Sequence, residues 1–565
     1  MDVELIRALP AQAAAQDLEL ALGDPSDPDA PVSFARLVGH DEREEPPSEA
    51  FDALRARGIH AHLVPGAWGG RLTSFDELLA LVRVISRRDL VLTTGLGSTM
   101  LAAVPVWAWG GDDQRREVAD LLLATGAFGC FAVSERDAGS DFQATTTRAE
   151  PTAGGHLLRG EKWLIGNASR CDFVVTLART RQSLSLLYLR PDQLSAGTCR
   201  RLPRIRTLGL RGHDLGGMVF EDCLLPASAL IQPAGRGMEM ALTTLQFTRT
   251  MIGGMALGAA DTALRLALGW SRERRLYGQP IFAIPAVRAL LLGAFLDILI
   301  GECLAMVTAR ALTLAPCRTP LWAAVTKYLV PNLSERVVRD ASVVLSARSY
   351  LREGIADGVF QKIARDITIT SIFEGTQLVQ LSLIASQLGQ LKRAGRRGGT
   401  PVDLDQLCDL ASPAPAWDPP STALRVGDPG GDELVERWFR WPESWPEDLN
   451  AGPRATSALR SLRDQATALW TALAESAGLA DLSLARRYCI LHAAACCLEI
   501  WRCNRERMAP EAAGGEWLAL CLERLACGDG LAPAAGDLAE PVSAWMQRQL
   551  EEGELFSIVP FELAR

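Results

Sequence analysis

The sequence predicts a mainly α-helical protein with a small β domain at its centre and a further helical domain at its C-terminus. Three observations carry this. Apolar residues recur at helical spacing through residues 1–125 and again through 233–390. Between them, 126–232 switches to short β-branched or alternating runs punctuated by Gly, Pro and Asp. A basic, glycine-rich segment, Gln390–Pro401, then precedes an acidic helical region over 401–565.

In the first region Leu78–Ile85 reads as a buried helix and Pro65–Gly70 as a turn. In the second, His156–Arg159, Phe173–Leu177 and Leu184–Leu189 read as strands. In the third, a long helix runs from Met240 towards Arg275, with Gly253, Gly254 and Gly258 permitting close packing at some cost in helix propensity. Helices over about 285–313 and 319–347 complete a bundle-like pattern. In the last region Ala455–Ala477 and Leu482–Arg507 are helical.

Composition narrows the function classes. With 48% hydrophobic and 22% charged residues over 565 positions, the chain is globular and too long for one compact core. Its 13 cysteines are scattered, form no CxxC pair and accompany no histidine cluster, so reduced structural thiols are expected and no metal site. The N-terminus lacks the pattern of a secretion signal, and the apolar stretch around Ala289–Ile300 is broken by Asp297 and Glu302, short of a membrane span. A cytoplasmic protein without a transmembrane segment is the expectation. Residues 401–565 hold 14 Arg, no Lys and 26 Asp plus Glu, a net charge of −12 against −9 for the whole chain. Phosphate binding needs clustered positive charge, so this region predicts no nucleic-acid partner.

The chemistry concentrates in two segments. Arg365-Asp366-Ile-Thr-Ile-Thr-Ser-Ile372-Phe373-Glu374-Gly375-Thr376 sets one carboxylate in an apolar stretch. Desolvated by Ile372 and Phe373, that carboxyl would have a raised pKa, as suits a base working near neutrality. Cys130-Phe131-Ala132-Val133-Ser134-Glu135-Arg136-Asp137-Ala138-Gly139-Ser140-Asp141 runs a short strand into a turn whose backbone and hydroxyls can approach a phosphate. Four more segments follow in order: Gly160–Asn167, Leu208–Gly212, Val219–Pro226 and Arg272–Ile281.

Together these six resemble the signatures of the acyl-CoA dehydrogenase family over residues 50–390: RDxxIxxIxEGT, [FY]xx[TS]ExxAGSD, GxKxWITN, LGxRG, FxDxxVP and RxxFGxPI. The resemblance implies an α-helical N-domain, a β-barrel-like middle domain and a four-helix bundle. The extension is similar to that of very-long-chain members, which implies a homodimer. It also implies FAD as cofactor, an acyl-CoA or acyl carrier protein thioester as substrate, and electron-transferring flavoprotein as acceptor. In the implied reaction Glu374 is the base that removes the α-proton, while the β-hydrogen leaves as hydride to flavin N5. Thr248, where some relatives carry their base, cannot serve, so Glu374 is the single candidate.

Carried over by motif, the cofactor-binding positions are Phe131, Val133, Ser134, Gly139, Ser140, Leu164, Gly166, Arg274, Tyr277 and Thr376, with Arg274 reaching a neighbouring subunit's FAD. Substrate contacts fall on Ser140, Arg249 and Gly375. Leu245, Phe247 and Tyr350 are candidates for the pocket wall.

Two departures stand out. Leu164 and Gly166 replace an aromatic that would stack on the flavin and a hydroxyl that would bond N5. Val343 and Ser346–Tyr350 replace a glycine-rich QxxGGxG turn that would approach the neighbouring subunit's FAD. These keep two alternatives open: an oxidase or flavin monooxygenase on the same scaffold, and a non-catalytic paralogue acting as a scaffold.

Overall fold

A computed structural model describes residues 9–394, 402–419, 431–440, 452–475, 481–527 and 536–565. Six helices come first: α1 (Ala13–Leu22), α2 (Phe34–Arg43), α3 (Ser48–Ala56), α4 (Phe75–Arg88), α5 (Leu90–Trp109) and α6 (Asp112–Thr125). Ser74 caps α4 by accepting from the Glu77 amide, with Asp76 and Glu77 in the first turn. Asp89 both ends α4 and caps α5, accepting from the Val91 amide.

A seven-stranded sheet follows: β1 (Gly129–Ala132), β2 (Arg148–Thr152), β3 (Gly155–Gly166), β4 (Phe173–Arg179), β5 (Leu184–Leu189), β6 (Cys199–Leu202) and β7 (Leu215–Pro226). Its order is β1-β4-β2-β3-β7-β6, with β5 also on β4. The long β3–β7 antiparallel pair slips register between Trp163 and Ile165, and there Leu164 takes a left-handed backbone, φ 58°. Asn167, just past β3, donates through Nδ2 to the Gly95 and Gly129 carbonyls and pins the sheet to α5.

The bundle is α7 (Gly237–Glu273), α8 (Pro285–Leu314), α9 (Thr319–Leu345), the short α10 (Val359–Asp366) and α11 (Gln377–Ala394). The glycines of α7 bring it against α4: a Cβ on Gly254 would lie 2.8 Å from the Leu79 carbonyl, and one on Gly258 would collide with that of Arg83. The expected linker begins inside α11, which extends through Ala394; residues 395–401 lie outside the described residues.

Helices α12 (Leu404–Cys408), α13 (Glu433–Val435), α14 (Gly452–Glu475), α15 (Leu482–Asn504), α16 (Pro510–Ala513), α17 (Glu516–Ala526) and α18 (Ala539–Glu551) make up the C-terminal region. It packs chiefly on α8 and α11, and it supplies partners for the bundle's buried acids. Arg524 makes a two-pronged ion pair with Asp297 at 2.6 and 2.7 Å. The Ser557 hydroxyl and the Ile558 amide donate to Glu302, and the Phe556 amide to Asp261.

One expectation is corrected. By length and composition α5, α7 and α8 are each apolar enough to cross a membrane, because α8 extends well beyond Ala289–Ile300. In this fold 83, 89 and 94% of those apolar windows are buried against other protein segments.

Candidate active site

A cavity of about 580 Å³ lies where α4, α5 and α7 meet the β1 loop and the 365–383 segment. That size suits a small-molecule site. Phe131, Val133, Ser134, Gly139, Ser140, Leu164, Gly166, Arg249, Glu374 and Gly375 all line it, although up to 244 positions separate them in sequence. Leu245 lines it as well, whereas Phe247 is core, packed between Phe75 and Trp417 at ring distances of 4.9 and 5.2 Å.

Glu374 sits between the 3-10 turn Ile367–Ser371 and α11, in left-handed backbone (φ 56°) followed by Gly375 at φ 103°. Two successive positive φ values make a conformation that surrounding contacts must hold. Arg249 Nε donates to the Glu374 carbonyl at 3.1 Å, and Gln380 Nε2 donates to the Glu374 and Gly375 carbonyls at 3.2 and 3.1 Å. A Cβ on residue 375 would strike Gln380 Nε2, so glycine is required there on two counts.

With its backbone clamped, the Glu374 side chain faces the cavity, and its Oε2 is buried without a hydrogen-bond partner. Burial raises its pKa above the ordinary carboxylate range, against opposing pulls from the Thr248 hydroxyl, Lys327 and Arg249. The two cations are themselves held down by burial, Lys327 to about 8 and Arg249 to about 10. Ile372 is 55% exposed, and the Phe373 ring lies 5.5 Å from the Lys327 ammonium. The groups that oppose the desolvation, Thr248, Arg249 and Lys327, come from α7 and α9.

The β1 loop is fixed by a network that the motifs did not disclose. Buried Glu135 accepts from Lys162 Nζ at 2.8 Å and from the Thr146 and Thr147 hydroxyls and amides. Burial opposes the Glu135 charge, but these bonds overcome it and draw its pKa down to about 2. The Ser134 hydroxyl donates to the Trp163 carbonyl at 2.8 Å, which leaves its lone pairs to accept. The Arg365–Asp366 pair ties the Leu208–Gly212 loop to the bundle: Arg365 bonds Asp41 and the Leu208 carbonyl, and Asp366 accepts from the Leu210 amide and Lys362.

Arg274, Tyr277 and Thr376 stand outside the cavity wall. Arg274 caps α7, and Tyr277, 96% exposed, turns the hairpin Arg275–Pro280. Thr376 is exposed at the start of α11. Val343 and Tyr350 are exposed too, and Ser346–Tyr350 forms a 3-10 turn with Arg348 over the Trp270 ring at 4.2 Å.

The family description for the acyl-CoA dehydrogenase middle domain matches residues 130–223, and that for the acyl-CoA dehydrogenase C-terminal domain matches 235–389. Residues 130–389 carry the middle and C-terminal domains of the acyl-CoA dehydrogenase family. Members of this family are FAD-dependent oxidoreductases acting on CH–CH bonds. The probable acyl-CoA dehydrogenase FadE25 of Mycobacterium tuberculosis is 26% identical over 355 residues, 62% of this chain and 89% of that one. An acyl-CoA dehydrogenase complexed with FAD from Bacillus anthracis superposes with a TM-score of 0.72 at 15% identity, covering 96% of this chain and 94% of its own. The likeness is of fold, and it takes in the C-terminal region as well as the family core. The prolyl acyl carrier protein oxidase AnaB gives 0.58 at 19% identity, over 67% of this chain and 97% of its own.

Proposed function

We propose that this chain catalyses FAD-dependent α,β-dehydrogenation of an acyl thioester, with Glu374 as the α-proton base. The observation that carries the reading is the unpartnered, buried Glu374 Oε2. Glu374 lines the same cavity as the Phe131–Ser140 loop and the end of β3. An oxygen left without a partner is placed to receive a proton, and burial raises the carboxyl's pKa in the direction that a base near neutrality needs.

The residues present fit FAD. Ser134 offers acceptor lone pairs, Gly139 leaves open space where a Cβ would stand, and Ser140 offers an exposed hydroxyl for the phosphate side. When bound, FAD supplies the acceptor for the hydride from the β-carbon. The chain's own part is to hold and deprotonate the substrate. We assign the Glu374 amide to the thioester oxygen, where it stabilises the developing enolate. Arg249 keeps that peptide in place through the Glu374 carbonyl. Arg274 and Tyr277, outward-facing on their hairpin, we read as surface for a second subunit of a homodimer.

The acyl chain has apolar walls to follow, Leu78, Leu81 and Ile85 of α4 facing Met251, Ile252 and Met255 of α7. Gly97, in the middle of α5, lines this cavity, and a Cβ there would meet no atom within 4 Å. Gly97→Leu would fill that space and gain helix propensity. It is expected to cut kcat/KM for the longest accepted acyl chain about tenfold or more, while the shortest changes by less than about threefold.

The carrier is CoA or an acyl carrier protein, and the electron acceptor is an electron-transferring flavoprotein. Anaerobic titration of the FAD-loaded protein with acyl-CoAs of graded length and their carrier-protein counterparts tests the whole reading. Bleaching of the absorbance near about 450 nm is expected with the substrate. A protein that takes up no added FAD would be a scaffold. Peroxide formed at the turnover rate would make it an oxidase, the reading that a bare Gly166 favours.

A further inference from the structure

The cavity wall formed by α5 and the end of β3 carries a feature that the glycine at 166 creates. Gly166 ends β3, and a Cβ built on it would collide with Ser98 Oγ and lie 3.2 Å from His213 Nε2. Two polar groups from distant segments, α5 and the loop before β7, therefore converge on the volume that a side chain at 166 would fill. Both line the cavity.

His213 is only 6% exposed, and its Nδ1 is buried without a hydrogen-bond partner. Burial, reinforced by Arg170 and Arg204, pushes its pKa down to about 3, so the ring is neutral and offers one donor and one acceptor. The Ser98 hydroxyl donates to the Thr94 carbonyl at 2.9 Å, one turn back along α5. Its lone pairs stay free, and rotation of the O–H can turn the donor into the cavity.

We propose that Ser98, with His213 beside it, supplies from α5 the polar contact to the flavin's reactive edge that position 166 lacks. The inference rests on the FAD reading given above. A rotatable hydroxyl can donate to a ring nitrogen that lacks a proton and accept from one that carries it, so a single group serves both oxidation states. Backbone from β3 then closes that part of the wall, with Gly166 present because Ser98 occupies the side-chain space. The bareness of position 166 is thus filled from the adjacent helix α5.

The test uses the full-length FAD-loaded protein and measures FAD affinity and the visible flavin spectrum. Ser98→Ala is expected to weaken FAD binding about 3- to 10-fold, the worth of one hydrogen bond, and to shift the flavin bands. The double variant Ser98→Gly with Gly166→Ser returns a hydroxyl to the same volume from β3 in place of α5. It is expected to restore affinity to within about threefold of the parent and to bring the bands back. A structural role through the Thr94 carbonyl would not be rescued this way, so a weakened single variant without rescue overturns the inference. So does a Ser98→Ala protein with the parent's affinity and spectrum. Should Ser98→Ala fail to fold, Ser98→Cys keeps the volume with a poor donor, and unchanged binding and bands in that variant are equally fatal. If the parent itself takes up no FAD, the function proposed above fails, an outcome distinct from a parent that binds while its variants do not differ.

Discussion

Glu374→Gln is expected to lower α-proton exchange of a bound acyl thioester by about 10²- to 10⁴-fold while FAD stays bound. The amide keeps the side chain's shape and gives up only its ability to take a proton. Oε2 has no hydrogen-bond partner, a glutamine carbonyl can still accept from the Thr248 hydroxyl, and the backbone clamp from Arg249 and Gln380 acts on carbonyls that the substitution leaves in place. Solvent-deuterium incorporation at the α-carbon, followed by mass spectrometry, isolates this step from hydride transfer. Exchange at the parent's rate in the Gln variant would remove Glu374 from the mechanism.

The same residue sets a pH dependence. Its pKa is raised by burial, with Thr248, Lys327 and Arg249 opposing. The active base is the deprotonated form, so kcat/KM in the parent should fall as pH drops through a value above the ordinary carboxylate range. The stability linkage has the matching sign. A folded-state pKa above the unfolded one gives a contribution that is fully present below the unfolded pKa and lost as pH rises through the folded one. Near neutrality Glu374 is therefore a destabilising charge, and the Gln variant, which mimics the protonated form, should melt at or above the parent's temperature.

What could be read without coordinates was what depends on local periodicity. The helix α4 around Leu78–Ile85, the strands β4 and β5, and α7 to α9 follow from side-chain spacing that a few consecutive turns or pleats impose. The two main site segments were legible because each packs its chemistry into about a dozen consecutive residues. Contacts made across the fold were hidden. The Arg249–Glu374 clamp joins positions 125 apart, and the Ser98–Gly166–His213 juxtaposition needs α5, β3 and the loop before β7 at once. Ile372 shows the limit of neighbour-based reasoning. It precedes Glu374 by two positions, yet the turn into left-handed backbone leaves it exposed, while Thr248 and Lys327 reach the carboxyl from other helices. Asp297 and Glu302, read from sequence as interruptions of an apolar run, prove to be the points where the C-terminal region grips the bundle.

That grip yields the second large expected effect. Arg524→Ala should cost about 3 kcal/mol of stability, the low end for removing one partner of a buried ion pair, because a second arginine remains. Asp297 is fully buried within α8, and Arg524, 4% exposed, reaches it from α17. Arg336 of α9 pairs with the same carboxylate through Nε at 2.7 Å, from a side chain that is partly exposed. Gly293, one turn before Asp297, makes room, since a Cβ there would come within 2.9 Å of an Arg524 terminal nitrogen. Removing the Arg524 guanidinium leaves a buried carboxylate with half of its charge-bearing partners and a void where the fork lay. Arg272→Ala, which breaks the solvent-exposed pair with Glu551, is the control and should cost within about 1 kcal/mol. Urea unfolding followed by tryptophan fluorescence compares the two. A loss for Arg524→Ala no larger than that for Arg272→Ala would mean that the C-terminal region is held by its apolar contacts with α8, and that the buried pair only relieves a charge which the fold would otherwise have to tolerate.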